Sequence, residues 1–177
     1  MGLRTVRLLL WLPLAAFVVI LGLVAGGLVR PHDPNIRSQM VDKPVPAFAL
    51  PRVGGGTLTQ AMLADGRPKL VNLFASWCVP CAAEAPQLDA LRARGVPIVG
   101  VAIRDTDADL ADFLKRYGDP YAVIARDDTA GLQVALGSSG VPESFLVDGR
   151  GVVRRQIIGD IRPEQVDEVA SALADVR

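Results

Sequence analysis

Apolar residues in this chain come in short blocks, and their spacing predicts a regular series of elements. Residues 70–75 form a short apolar run that is interrupted only by Asn72, and residues 97–103 form a continuous one. Both have strand length, which is typical of buried parallel strands. The segment between them is rich in Ala, Glu, Leu and Arg up to about Ala93 and predicts a helix. A second helix is predicted over residues 107–117, where apolar positions share one face. We therefore expect an α/β domain with a central mixed sheet flanked by helices.

The rest of the domain is predicted as short strands and helices joined by turns. Three glycines at 54–56 separate two short apolar segments and predict a small hairpin ahead of the first core strand. Pro163 opens a last helix whose apolar positions share one face. The strands of the hairpin around these glycines are residues 47–50 and 57–58. The remaining predicted segments are a strand 122–125, a helix 129–136, and a hairpin of residues 144–147 and 152–158.

The N-terminal part differs from the rest in hydropathy. No charged side chain occurs between Leu8 and Val29, a run of 22 residues that is long enough to span a bilayer as a helix. This run explains the positive mean hydropathy of +0.32. We expect an uncleaved transmembrane anchor, because the apolar core of a cleaved signal peptide is about 7–15 residues long. Cleavage stays open, since small residues occur at 25–27.

Proline-rich sequence then separates the apolar run from the folded part. Residues 30–46 contain four prolines and no apolar periodicity, which is typical of an extended tether. The predicted organisation is an N-terminus (1–7), a transmembrane anchor (8–29), a tether (30–46) and one folded domain (47–177). The formal net charge of zero gives no electrostatic reason to expect nucleic-acid binding.

The only two cysteines of the chain, Cys78 and Cys81, lie where the first core strand is predicted to turn into a helix. Free amide N–H groups and the positive end of the helix dipole concentrate at such a junction, and both favour a thiolate. Cys78 is therefore the expected nucleophile, at the surface. Cys81, one turn further on, is close enough to form a disulfide with Cys78 and points toward the body of the domain. The pattern predicts a redox-active pair.

Three other interpretations of the pair are less favoured. A zinc site needs two further Cys or His ligands, and the only histidine, His32, lies in the predicted tether. A purely structural disulfide over so short a loop would constrain the unfolded chain little. Chance spacing does not account for the strand before and the helix after the pair. We therefore expect no metal site.

The sequence around the cysteines resembles thioredoxin-like proteins. The shared features are the Trp-Cys-Val-Pro-Cys motif of residues 77–81, Pro86, and the Val-Pro dipeptide of residues 141–142. Three blocks (residues 74–84, 118–121 and 140–149) resemble more closely the membrane-anchored reductases of cytochrome c maturation, the CcmG/DsbE type. The resemblance covers residue 41 to the C-terminus. It implies a thioredoxin-like fold with an N-terminal hairpin extension and a central insertion.

The resemblance also implies roles for residues that support the active site. Pro142 is expected to form a cis peptide bond and to pack beside the cysteines, which leaves the backbone of Val141 free to pair with substrate. Trp77 is expected to cover one side of the site, and Pro80 lies between the two cysteines. The alternatives are an ordinary trans proline and a tryptophan that only packs in the core.

A carboxylate that takes and returns the proton of Cys81 is the remaining expected element. Thioredoxin has a buried aspartate in the preceding strand, but the matching residue here is Asn72, which cannot exchange a proton. Glu84, one turn after Cys81 on an otherwise apolar segment, is the first candidate, and we expect burial to raise its pKa. Glu143, next to the predicted cis proline, is the second candidate. The alternative for Glu84 is an ordinary solvated helix residue.

The function implied by the resemblance is selective reduction of protein disulfides. The implied substrate is apocytochrome c or a thiol protein of cytochrome c maturation, and the implied reductant is an inner-membrane electron-transfer protein. No cofactor is expected besides the Cys78–Cys81 disulfide. The implied location is the inner membrane, with a cytoplasmic N-terminus, a single span and the catalytic domain in the periplasm. A groove beside Pro142 is expected to restrict the partners.

Other functions fit the same motif. The chain could be a disulfide-forming oxidase, a broader reductase of another envelope pathway, or a non-catalytic tethered chaperone. The redox potential separates a reductase from an oxidase. Replacement of both cysteines by serine separates either of them from a chaperone.

Overall fold

The computed structural model describes residues 11–22 and 39–176. Residues 11–22 are helical. Among the residues described, no helix is long and apolar enough to cross a membrane. The predicted N-terminus, both ends of the predicted anchor and residues 30–38 of the predicted tether lie outside the described residues.

The apolar runs form a five-stranded mixed sheet, and the predicted hairpin forms a separate two-stranded one. The strands of the main sheet occur in the order β5-β4-β3-β6-β7, with β3, β4 and β5 parallel to one another and β6 and β7 antiparallel to their neighbours. The strands are β1 (Ala49–Pro51), β2 (Thr57–Thr59), β3 (Lys69–Phe74), β4 (Ile98–Ile103), β5 (Val123–Asp127), β6 (Glu143–Val147) and β7 (Val153–Ile158).

Within residues 39–176, three α-helices connect strands of the main sheet, a fourth follows the last strand, and there are two short 3₁₀ segments. The helices are α1 (Val79–Ala93), α2 (Asp107–Tyr117), α3 (Gly131–Ala135) and α4 (Val166–Asp175), and the 3₁₀ segments are Gln60–Leu63 and Pro163–Gln165. The predicted ends of α1 and α2 are confirmed. The mixed sheet with flanking helices confirms the predicted thioredoxin-like fold.

Alternation along the strands assigns the two faces of the sheet to different partners. On one face, Leu70 and Phe74 of β3 pack with buried residues of α1, α2 and α4. On the other face, Val71 and Leu73 pack with the hairpin, the first 3₁₀ segment and α3. Asn72 therefore points toward the α1 face, in the middle of the central strand.

The end of the predicted tether packs on the domain. Lys43 and Val45 pair with the β7 side of the sheet, where the Val45 N–H donates to the Gly151 carbonyl at 2.9 Å. Val45 is only 3% exposed and belongs to the core. The Arg154 guanidinium also donates to Asp42 at 2.7 Å. The folded part thus begins earlier than residue 47, because residues 42–45 pair with the β7 edge of the sheet and Val45 enters the core.

Several element boundaries differ from the prediction by one to three residues; for example, Pro163 opens a 3₁₀ segment, and α4 itself begins at Val166. The clearest difference lies between β5 and α3. Strand β5 continues to Asp127, two residues further than predicted, and α3 begins at Gly131 instead of Thr129. The reason is a turn in which Ala130 has a φ of 59° and the buried Asp127 carboxylate accepts the N–H groups of Gly131 and Leu132 at 2.8 Å. The cap is therefore an aspartate at the end of the preceding strand.

Candidate active site

The β3–α1 junction places the two cysteines as predicted. Cys78 is the N-cap of α1, with φ −91° and ψ 111°, and its Sγ accepts the N–H of Cys81 at 3.2 Å. Val79 and Pro80 form the start of the helix and are exposed. Proline is favourable here because the first N–H groups of a helix have no partner within it. The two cysteines are joined by a disulfide, with their Cα atoms 5.3 Å apart.

The expectation that Cys78 lies at the surface is wrong. Cys78 is 5% exposed and Cys81 is 2% exposed, so both are buried. They pack with Phe74, Ala75 and other apolar residues in one cluster. The difference between the cysteines is one of access: Cys78 lines an open groove, and Cys81 is absent from its lining.

The groove beside Cys78 has a volume of about 480 Å³ and runs between the start of α1 and one face of α2. Trp77, Cys78 and Val79 form one side, and Phe113 and Tyr117 contribute apolar surface on the other. Charged residues of α2 also line it, namely Asp109, Asp112 and Arg116. Pro142 does not line this groove, so it differs in position from the groove expected beside that proline.

Trp77 stays largely outside the core. Its side chain is 61% exposed, and its Nε1–H donates to the Arg104 carbonyl at 3.4 Å. The preceding residue is held more firmly, because the Asp105 carboxylate accepts the N–H of Ser76 at 2.6 Å and its hydroxyl at 2.7 Å. The loop that carries Cys78 is therefore fastened to the segment that begins α2.

The Val141–Pro142 peptide bond is cis, as the resemblance implied. Pro142 is buried, and Val141 is partly buried against the cluster that contains both cysteines. The Pro142 carbonyl accepts the N–H of Gly159 at 3.1 Å. The dipeptide thus lies in the same part of the molecule as the disulfide.

Glu84 is a buried carboxyl in a hydrogen-bonded network. It is 1% exposed, although it lies on a helix. One oxygen accepts from the Asn72 side-chain amide at 2.9 Å, and the other accepts from the Ile161 N–H at 3.0 Å. The solvated-helix alternative is therefore wrong for Glu84. Its position three residues after Cys81 places the two on the same side of α1, one turn apart.

Burial raises the pKa of Glu84 from its ordinary value of 4.5 to about 7. The hydrogen bonds from Ile161 and Asn72 favour the carboxylate and lower the pKa, while the charge of Asp160 raises it further. The loss of hydration outweighs the two bonds. A carboxyl with a pKa near neutrality can both take and return a proton at neutral pH.

Glu143 is also buried, but it faces the other side of the sheet. Its partner in the register is Leu73, whereas the adjacent Ser144 lies opposite Asn72. The Glu143 carboxylate accepts from Gln156, from the Ser138 hydroxyl and from the Ser139 N–H. Burial raises the pKa of Glu143 above its ordinary value, and the hydrogen bonds from Ser138 and Ser139 offset only part of this rise. These contacts do not join it to the Glu84 network.

Sequence reasoning missed three residues of the site, and their partners lie far away along the chain. The Tyr121 hydroxyl donates to the Asn72 carbonyl oxygen at 3.0 Å, and the Asn72 amide also donates to the Ser144 hydroxyl at 3.0 Å. Asp105 contacts Ser76 across 29 positions. The only signal for Tyr121 was its place in the 118–121 block, which gave no role.

The raised pKa of Glu84 predicts a pH dependence of stability. Because the folded protein holds this proton up to about pH 7 and the unfolded chain loses it near pH 4.5, stability falls as pH rises between these values. A tenfold change in proton affinity is worth about 1.4 kcal/mol, so the loss attributable to Glu84 approaches 3 kcal/mol. Denaturant unfolding of the oxidised protein at pH 4.5 to 8 measures it.

Glu84→Gln should remove this fall, because glutamine does not titrate. The exposed Glu164 offers a matched control, and Glu164→Gln should keep the wild-type pH dependence. Equal pH dependence in wild type and Glu84→Gln would mean that Glu84 titrates normally in the folded protein.

The disulfide and the Glu84 carboxyl together can exchange two electrons and one proton within one site. The disulfide carries the electrons, and Glu84 offers a proton site on the helix of Cys81. Across the described ranges, no group of three or more His, Cys, Asp and Glu side chains is arranged to hold a metal ion.

Comparisons with known proteins agree with this chemistry. Residues 40–175 match the family model Redoxin. The chain is 41% identical over 157 residues to the thiol:disulfide interchange protein DsbE of Pseudomonas fluorescens biotype C, which covers 88% of this chain and 86% of that protein. It is 36% identical over 175 residues to the thiol:disulfide interchange protein HelX of Rhodobacter capsulatus, covering 94% and 98%.

Among solved structures, one similar fold is a thiol:disulfide interchange protein of the thioredoxin family from Chlorobium tepidum TLS. The TM-score is 0.61 at 28% identity, over 73% of this chain and 94% of that one. The cysteine pair, the fold and these relatives agree. The chain therefore belongs to the Redoxin family, among the thiol:disulfide interchange proteins that include DsbE and HelX.

Proposed function

We propose that the chain is a thiol:disulfide oxidoreductase that reduces selected protein disulfides during c-type cytochrome maturation. The observation that carries the proposal is the Cys78–Cys81 disulfide at the start of α1, open to a groove at Cys78 and backed by the buried Glu84. The names of the relatives support the interchange chemistry. The sequence blocks shared with the CcmG/DsbE type support the cytochrome pathway.

Reduction of a substrate begins at Cys78. In the reduced protein, the Cys78 thiolate attacks one sulfur of the substrate disulfide, and the other substrate sulfur leaves as a thiolate. The product is a mixed disulfide between Cys78 and the substrate. Cys78 suits this step because it caps α1, where helix N–H groups favour a thiolate, and because it lines the groove.

Cys81 completes the reaction. It transfers its proton to Glu84, and its thiolate attacks the Cys78 sulfur of the mixed disulfide. The Cys78–Cys81 bond forms, and the second substrate sulfur leaves as a thiolate. The substrate has then gained two electrons, and the protein is left in the oxidised form that the structure presents. A dithiol of an inner-membrane electron-transfer protein would restore the reduced state.

The proposed substrate is the cysteine pair of an apocytochrome c, or a maturation protein that holds it. The groove gives a substrate chain direct access to Cys78 and presents both aromatic surface, at Trp77 and Tyr117, and charge from α2. Such a surface fits a polypeptide better than a small thiol. No cofactor other than the disulfide takes part in the proposed reaction.

The proposed location is the inner membrane, with the domain in the periplasm. The 22-residue uncharged run from Leu8 to Val29 supports an anchor, because a bilayer core needs about 20 apolar residues. A reductant in an oxidising compartment must be selective, and a tether would keep the domain near membrane-bound partners.

Covalent trapping in cells tests the proposal. With Cys81→Ser, the mixed disulfide cannot be resolved, so the natural substrate should stay attached to Cys78 and be identified by mass spectrometry. We expect an apocytochrome c or a thiol protein of its maturation. The matched control is Cys78→Ser/Cys81→Ser, which should trap nothing. Trapping of many unrelated envelope proteins would instead indicate a broad reductase.

A further inference from the structure

We propose that Asn72 is the positioning residue of Glu84, and that the buried Tyr121–Asn72–Glu84 chain fixes the carboxyl that serves Cys81. This inference rests on the proposed function, because it concerns the proton of the resolving step. It adds two residues, from the central strand and from the loop before β5, to the pair formed by Cys81 and Glu84 on α1. The network is joined entirely by side-chain hydrogen bonds inside the domain.

Every hydrogen-bonding group of the Asn72 amide is used. Its nitrogen donates to Glu84 at 2.9 Å and to the Ser144 hydroxyl at 3.0 Å, and its oxygen accepts from the Tyr121 hydroxyl at 3.0 Å. The orientation of the amide is therefore fixed, because a reversed amide would turn its oxygen toward the Glu84 carboxylate. Asn72 is 0% exposed, so bulk solvent does not reach these groups.

The sheet makes room for this chain with two small neighbours. In the register, Asn72 lies between Gly100 of β4 and Ser144 of β6. A Cβ on Gly100 would lie 2.8 Å from the Tyr121 ring and 2.9 Å from the Phe74 ring. The Tyr121 ring stacks on Phe74, with the centroids 4.6 Å apart. Only glycine at this position lets the ring cross β4 and bring its hydroxyl to Asn72.

An amide at position 72 suits the carboxyl better than a second acid would. The Asn72 N–H donates to the charged form of Glu84 and so offsets part of the cost of burial. An aspartate at this position could not donate when ionised, and two carboxyls at hydrogen-bond distance share one proton, which raises one of the two proton affinities strongly. Asn72 thus leaves Glu84 as the single proton acceptor of the network.

Few other charges bear on Glu84. Asp160, next to the residue whose N–H binds Glu84, disfavours the carboxylate, and Tyr121 stays protonated because burial raises its pKa well above the ordinary value. Cys81 lies one turn back on α1 and is uncharged in the disulfide. Asn72 is therefore the one side chain that donates to Glu84 among the described contacts.

Titration of the Glu84 carboxyl in the oxidised protein tests the proposal without any substrate. With ¹³C-labelled glutamate and aspartate, so that a carboxyl at position 84 or 72 is observed, the wild-type Glu84 carboxyl should titrate at about 7. Asn72→Asp should raise its proton affinity by at least about tenfold, because a like charge replaces a donor. The pH at which Cys81 begins to resolve a mixed disulfide on Cys78 should rise by the same amount. A purely structural role of Asn72 would instead lower the rate equally at all pH values.

Exchanging the two groups provides the rescue. Asn72→Asp/Glu84→Gln keeps one amide and one carboxyl at hydrogen-bond distance, so a single group should again titrate near neutrality. The control is Gln156→Glu, which makes the same amide-to-acid change beside Glu143 on the other face of the sheet. It should leave the titration of Glu84 unchanged.

Three outcomes would overturn the proposal. They are an unmoved Glu84 titration in Asn72→Asp, an equal shift in Gln156→Glu, and a double exchange that titrates no nearer to neutrality than Asn72→Asp alone.

If Asn72→Asp does not fold, Tyr121→Phe replaces it. That variant keeps the stacked ring and should raise the proton affinity by about two- to fivefold, as expected for one weakened hydrogen bond. No shift in it would equally contradict the role of Asn72. A substrate-trapping failure with these titrations intact would count against the proposed function alone.

Discussion

Replacing Cys78 with serine should lower the rate of disulfide reduction by at least about a thousandfold, as expected when a catalytic nucleophile is removed. A serine hydroxyl stays protonated at neutral pH and does not attack disulfides. Cys78 is the only cysteine that lines the groove, so Cys81 cannot substitute for it. Turnover of a neutral peptide disulfide, with dithiothreitol as the final reductant, measures the effect.

Cys81→Ser serves as the matched control for this variant. It should also fail to turn over, but its Cys78 should still form one covalent adduct with the peptide, detectable by intact mass. An adduct on Cys81 in the Cys78→Ser protein would contradict the assigned order of attack. Both variants should fold, because the cysteines pack as small apolar residues in a larger cluster.

Replacing Glu84 with glutamine should slow the resolving step by about ten- to a hundredfold at pH 7, the lower range for loss of a general base. The wild-type rate should rise as pH passes about 7, because Glu84 then loses its proton and can accept that of Cys81. In Glu84→Gln this rise should disappear. Without the nearby charge, the cysteine pair should also form more thiolate at a given pH.

Stopped-flow release of thionitrobenzoate from its mixed disulfide with Cys78 isolates this step. Glu164→Gln, which changes an exposed carboxylate, should keep the wild-type rate and profile. Identical profiles for wild type and Glu84→Gln would show that Glu84 has no part in proton transfer, and the role would then have to be sought at Glu143.

The predictions that succeeded rested on signals within a few residues of one another. The apolar run before the cysteines predicts β3, and Pro80 with the helix-forming residues up to Ala93 predicts α1 and its start. Cys78 and Cys81 could therefore be placed at the strand–helix junction from the sequence. The unusual place of a glutamate in an apolar helix segment pointed correctly to burial of Glu84.

The parts that escaped prediction depend on contacts between distant residues. Asn72 meets Tyr121 across 49 positions and Ser144 across 72, and no local pattern encodes such pairs. Val45 was predicted to belong to the tether because its backbone partner, Gly151, lies far away along the chain. Cys78 is buried in a cluster that includes Leu110 and Phe113 of α2, and the argument from the helix start did not consider this packing.

The redox potential of the Cys78–Cys81 pair tests the central claim, that this protein is a reductant, most directly. Equilibration of the purified domain with glutathione buffers of known ratio, read by quantitative thiol labelling, gives the value. We predict a potential nearer to the roughly −270 mV of thioredoxin than to the roughly −120 mV of a strong oxidase. The reasons are the family relationship and the buried carboxyl of Glu84, which when ionised disfavours a thiolate nearby. A potential above about −150 mV would contradict the account and make the protein an oxidant.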